Sequence, residues 1–170
     1  MKSLKPLLVP LVLVFSVSVA QAQEMDTFLG LSLGTGMTMG KPGDAMQIKR
    51  SPVFLEVDVG LVFDEDFDWE WTPSLILEVD GRVALGVNPT VKRVVRFKWF
   101  SFYGGLGVPF FFAPYTLLGL EAAIGGIYYI IPKFAAVVEF RANVFFIGSD
   151  LPDGSALAKL DFAFGVRVDL

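Results

Sequence analysis

The chain contains no cysteine and no histidine. Without cysteine there can be no disulfide framework, no thiolate metal site and no thiol nucleophile. Without histidine, serine hydrolysis loses the base that ordinarily takes the hydroxyl proton. Basic charge is scarce as well. Lys2 and Lys5 account for two of the 14 basic residues, so 12 remain against 18 acidic ones beyond the first residues. The resulting net charge near −6 repels nucleic acid, so no nucleic-acid partner is expected, and it disfavours an electrostatic grip on anionic lipid. Helix-length apolar runs are missing too. Residues 104–132 are interrupted by Glu121, by Gly-Gly pairs and by Pro109 and Pro114, a composition that argues against a pair of transmembrane helices.

The amino terminus reads as an export signal. Lys2 and Lys5 precede an apolar run at 7–19, and Ala20-Gln21-Ala22 supplies the small-x-small pattern that a signal peptidase reads. The run contains Pro10 and is too short to cross a hydrocarbon core of about 30 Å as a permanent helix. Cleavage is expected after Ala22, which divides the chain into a signal peptide at 1–22 and one mature domain at 23–170.

What is abundant is apolar side chain: 54% of residues are hydrophobic, alongside 17 glycines and 10 prolines. The apolar residues recur with period two, as in a strand with two unlike faces. At the carboxyl end, Leu160, Phe162, Phe164, Val166 and Val168 alternate with Lys159, Asp161, Ala163, Gly165, Arg167 and Asp169. The same alternation sets Leu29, Leu31 and Leu33 against Gly30, Ser32 and Gly34, and Val57, Val59 and Leu61 against Glu56, Asp58 and Gly60. It continues through segments containing Glu70 and Glu78, Lys92 and Arg96, Tyr103, Glu121, and Glu139 and Arg141, giving eight strands. Asp80-Gly81 marks a hairpin.

Phase was set by the apolar residues, so the charges test it independently. In the strands drawn this way, all charges but Arg93 fall on the face opposite the apolar one. The expected fold is therefore all-β, an eight-stranded antiparallel up-and-down transmembrane β-barrel, apolar outside and polar within. Arg on a lipid face costs roughly 2–4 kcal/mol at mid-bilayer and little near an interface, which places Arg93 close to a membrane edge. A soluble lipocalin-like barrel in the periplasm alternates as well. It would need a second layer to cover the Phe, Leu and Val face, and no helix is available.

An even strand number puts both termini on one side, taken as the periplasm. Outer loops are expected at 40–50, 80–82, 113–115 and 147–156, and periplasmic turns at 64–68, 98–99 and 131–133. Trp69, Trp71, Phe97, Trp99, Phe100, Tyr128 and Tyr129 flank those turns like an interfacial aromatic girdle. With its signal peptide, dyad strands, the Tyr103-Gly104-Gly105-Leu106-Gly107-Val108 strand and the Glu121 to Tyr129 strand before a Pro turn, the chain resembles the small eight-stranded outer-membrane barrels, the family of the OmpA membrane domain and OmpX. The resemblance implies a location in the cell outer membrane, contact with outer-membrane lipid, insertion by the barrel-assembly machinery, and a monomer. The family usually ends in an aromatic residue, whereas this chain ends in Leu170.

An eight-stranded barrel is just wide enough to be filled by side chains. The candidate site is accordingly a lumen-facing polar cluster of Glu56, Asp58, Glu78, Arg82, Lys92, Glu121, Glu139, Arg141, Lys159, Asp161 and Arg167, with Phe54, Tyr103, Phe111, Tyr129 and Phe145 filling space. A salt-bridged plug with a structural or passive role is the expected function. A narrow pore or transporter for a small solute or lipid is the alternative. Carboxylate pairs such as Glu56 and Asp58 have the residue types for acid-base work, but lumen packing is their more ordinary use. The acidic turn Asp64-Glu65-Asp66-Phe67-Asp68 lacks the Gly and distal Glu of a calcium loop. No catalytic, cofactor or metal site is expected.

Overall fold

The computed structural model describes residues 26–40, 47–63, 69–80, 83–149, 151 and 155–170. The proposed signal peptide, the acidic turn at 64–68 and Arg82 lie outside them. Ten strand segments run in chain order: β1 (Thr27–Gly40), β2 (Gln47–Arg50), β3 (Phe54–Phe63), β4 (Trp69–Glu78), β5 (Ala84–Arg96), β6 (Phe100–Gly107), β7 (Phe110–Ala113), β8 (Leu117–Ile131), β9 (Phe134–Gly148) and β10 (Leu157–Asp169). Each neighbouring pair is antiparallel, and β10 pairs with β1 from Phe28↔Asp169 to Gly40↔Leu157, which closes the sheet. β2 and β3 lie against successive parts of β1 and form one stave. β6 and β7 together bridge β5 and β8 and form another. The architecture is an eight-stranded closed barrel.

Two breaks were not expected. The segment at 47–50, read as outer loop, extends the barrel wall as β2. The strand expected to run from Phe100 to Phe112 is interrupted between Gly107 and Phe110. Pro109 has no N–H for the ladder. Its carbonyl accepts from Gly119 N at 3.1 Å, while Val108 N donates to Pro89 O at 3.2 Å, so pairing resumes on both sides of the break.

The faces follow the alternation. Leu29, Leu31, Leu33, Val57, Val59, Leu106, Leu120, Ile124, Phe140, Phe162 and Phe164 are exposed on the exterior, while Ser32, Glu56, Glu70, Glu121, Glu139, Arg141 and Arg167 are buried inside. A solvated exterior of this composition would be an aggregating one; hydrocarbon is its matching phase. The 13 residues of β5, at about 3.3 Å each and a tilt near 40°, rise about 33 Å, enough for an apolar band of about 25 Å. Arg93 points outward beside Trp69, its register partner, with the guanidinium 5.5 Å from the Trp69 ring centroid. That puts it three residues from the end of β5, near a membrane edge as expected.

One end of the barrel holds Asp26, Leu170 and the turns after β5 and β8; we call it the terminal end, and the other the loop end. Trp69, Phe97, Trp99, Phe100 and Tyr128 stand exposed at the terminal end, and Phe97 stacks on Phe100 with centroids 4.7 Å apart. Tyr129 does not join this girdle; its hydroxyl accepts from Arg96 Nη1 at 3.2 Å, inside the barrel. Asp80 has the inward parity of Glu78, yet it lies beyond β4 at the loop-end rim, where no wall encloses it. It accepts from Arg50 Nη2 at 2.7 Å, with side chains 53% and 65% exposed respectively. Such an open pair contributes at most about 0.2–1 kcal/mol, so Arg50→Ala should leave the urea midpoint of unfolding nearly unchanged.

Candidate functional site

Period two puts one side chain per two residues into the lumen, and the order along each strand sets its height. On β9 the inward row runs Ala135, Val137, Glu139, Arg141, Asn143, Phe145 from the terminal end to the loop end, and on β10 it runs Arg167, Gly165, Ala163, Asp161, Lys159 in the same sense. Three layers result.

At the terminal end, Glu70 is the hub. Arg167 Nη1 donates to both its oxygens at 2.9 Å, and Arg96 Nη2 donates to Oε1 at 2.9 Å. Arg167 Nε also donates to Asp169 at 2.7 Å, and its guanidinium lies 3.6 Å from the Phe28 ring centroid. Two acids and two bases close this layer to zero charge.

Arg141 dominates the waist. Its Nε donates to Glu139 and its Nη2 pairs with Glu56. Lys92 Nζ donates to Glu139 Oε2 at 2.9 Å, and the Tyr103 hydroxyl donates to the same oxygen. Lys92 lies 4.7 Å from the Tyr103 ring centroid, and Arg141 lies 5.5 Å from that of Phe54. Tyr103 reaches across because Gly125 faces it; a Cβ there would collide with the phenol ring. Asp58 faces the lumen opposite Gly30.

At the loop end, Lys159 Nζ donates to Glu78 Oε1 at 2.7 Å and stands 4.0 Å from Asp161 Oδ2. Tyr115 donates to Glu78 Oε2 at 2.8 Å. Phe54, Ile76, Phe111, Leu117 and Phe145 pack over this layer, with Phe111 and Phe145 centroids 5.9 Å apart. The space left between the loop-end layer and the waist admits about one ordered water.

The structure therefore brings Glu56, Lys92, Glu139 and Arg141 into one network and Glu78, Lys159 and Asp161 into another, with Arg167 in a third. Glu121 joins neither network directly; it accepts from Asn88 Nδ2 at 2.8 Å. Among the described residues, the waist and loop-end layers hold six carboxylates, Glu56, Asp58, Glu78, Glu121, Glu139 and Asp161, against three cations, Lys92, Arg141 and Lys159. Glu70, though read as inward, was not singled out as part of the site, and the partners Tyr115, Asn88 and Asn143 were missed. Asn88 and Asn143 sit at an inward parity, so their signal was available; Tyr115 lies in the turn between β7 and β8, where parity gives none.

Comparison with solved structures agrees with this geometry. Neisserial surface protein A superposes with a TM-score of 0.64 at 12% identity, over 84% of this chain and 96% of that one. The attachment invasion locus protein Ail of Yersinia pestis gives 0.54 at 14%, over 85% and 99%. A transmembrane β-barrel designed de novo gives 0.53 at 12%, over 87% and 98%. The chain has the fold of a small outer-membrane β-barrel. No family model matches it, and no curated protein does. Near-complete coverage of these barrels at such low identity means that the fold is what is shared.

Proposed function

We propose that the protein is an integral barrel of the cell outer membrane, exported by a signal peptide cleaved after Ala22, with its terminal end in the periplasm and a structural or passive role. The observation that carries this reading is the side-chain plug. Three layers of ion pairs and rings occupy the lumen of a closed sheet whose outer face matches lipid. Buried charges held this way satisfy one another instead of lining a water path. No catalytic role is proposed. Its partners are outer-membrane lipid and, during insertion, the barrel-assembly machinery, and it acts as a monomer.

Two measurements test the reading. On a detergent gel, the unheated outer-membrane fraction should migrate differently from the boiled one, as a folded barrel does. Reconstituted in planar bilayers, the protein should give no steady conductance. A stable open step would favour a narrow pore or transporter for a small solute or lipid. Recovery as a soluble periplasmic species would instead favour a lipocalin-like binding barrel.

A further inference from the structure

Two prolines face each other in the middle of the wall. Pro73 of β4 and Pro89 of β5 are register partners, and neither has an N–H to give the ladder. Sheets ordinarily confine proline to an edge strand or a bulge, and this closed barrel has no edge. Val108 N donates to Pro89 O at 3.2 Å, so the polar backbone of Pro89 points toward β6 and β7, and that of Pro73 points the other way, toward β3. The missing donors therefore fall on both outer flanks of the β4–β5 hairpin, at one level. Between β3 and β4, pairing stops after Asp58↔Ser74 and resumes in the same register at Leu61↔Trp71, which sets Val59 opposite Pro73. Between β5 and its other neighbours, pairing stops after Thr90↔Gly107 and resumes in the same register at Val87↔Phe110, which sets Val108 opposite Pro89. One proline would free one flank; the facing pair frees two.

The lumen side of this level is lightly held as well. The hairpin is pinned across the lumen at its two ends by Glu70 to Arg167 and Glu78 to Lys159, and on β5 by Lys92 to Glu139. At the proline level the tie is a neutral donor, Asn88 Nδ2, to Glu121 Oε1 at 2.8 Å. Ser74 bonds within the hairpin, to Asn88 O at 3.2 Å, and the buried Thr72 Oγ1 has no partner. Pro109 is buried and lines the water-sized cavity between the waist and the loop-end layer, whereas its neighbour Val108 is 42% exposed on the outer face. We propose that the β4–β5 hairpin is a movable panel of the wall: it bows away from β3 and from β6 and β7 at the Pro73–Pro89 level, pinned at both ends by its ion pairs, and opens the lumen cavity sideways. In hydrocarbon a backbone carbonyl without a donor is costly. The carbonyls of Val59 and Val108 receive no N–H from the prolines opposite, so lumen water reaching them stabilises the bowed wall.

Amide hydrogen exchange of the mature chain in lipid nanodiscs, read residue by residue by NMR, tests this, because an amide at mid-wall exchanges only where water reaches it. The amides of Val59 and Val108 should exchange at least about tenfold faster than those of residues 138–142 and 160–164, in the middle of β9 and β10. Pro73→Val returns an N–H to the β3 flank and should slow exchange at Val59 by about tenfold while leaving Val108 unchanged; Pro89→Val should do the converse. Valine is a strand former and suits the lipid face, so both variants should fold and keep the heat-modifiable gel band of the parent. Protection at Val59 and Val108 equal to that in β9 and β10, or exchange at those two amides unaltered by either substitution, overturns the proposal. The assay does not read conductance, so it fails separately from the closed-lumen reading.

Discussion

Replacing Arg141 with Met should destabilise the folded barrel by about 3–5 kcal/mol, the cost of leaving a buried charge without its partner. Arg141 is buried and holds Glu56 on one side and Glu139 on the other. Glu139 keeps Lys92 and Tyr103 after the substitution, but Glu56 has no other ion pair among the described residues. The loss therefore falls mainly on Glu56, which is 2% exposed. It follows that Glu56→Gln in the Arg141→Met background should recover most of the stability, since an apolar or neutral replacement of a whole buried pair is often nearly neutral. Urea unfolding in lipid vesicles, followed by tryptophan fluorescence, measures both. A loss below about 1 kcal/mol, the scale of an exposed pair, would mean that the lumen is wet and the plug open.

The exterior makes an equally large prediction of a different kind. Ile124 lies at the centre of β8 and is 64% exposed, and Val95 lies next to the end of β5 and is 54% exposed. By accessibility alone the two are alike. In a bilayer they are not: Ile124→Arg should cost about 2–4 kcal/mol and Val95→Arg about 0–1. A barrel standing in water would tolerate both. The wild-type chain already contains the control, because its outward Arg93 occurs near the terminal edge beside Trp69 and nowhere near mid-wall.

These predictions separate what periodicity reveals from what it hides. The dyad in β10 is legible because each apolar residue has a charged or small neighbour, and that fixes which face every side chain takes. It leaves height undetermined. Lys159 meets Glu78 and Arg167 meets Glu70 across 81 and 97 residues of chain; those pairings depend on strand tilt and register, which no single strand encodes. The same limit explains Asp80, whose parity is inward but whose position is past the end of β4. Tyr129 is amphipathic and fits either interface or lumen, and only the nearby Arg96 decides. β2 carries no readable alternation, because its four residues, Gln47–Arg50, are all exposed and only Ile48 is apolar. Pro109 signals a break, yet the resumption of pairing at Phe110 depends on partners in β5 and β8.

Nitroxide scanning of β10 tests the membrane barrel most directly, and the cysteine-free chain permits it without background. Single cysteines would be placed from 159 to 168 and labelled in lipid vesicles. Collision with oxygen should peak at positions 160, 162, 164 and 166 and fall at 161, 163 and 165, with a water-soluble nickel chelate reaching none of the central ones. Free access of the chelate to labels at 162 and 164 would show water where the account requires hydrocarbon.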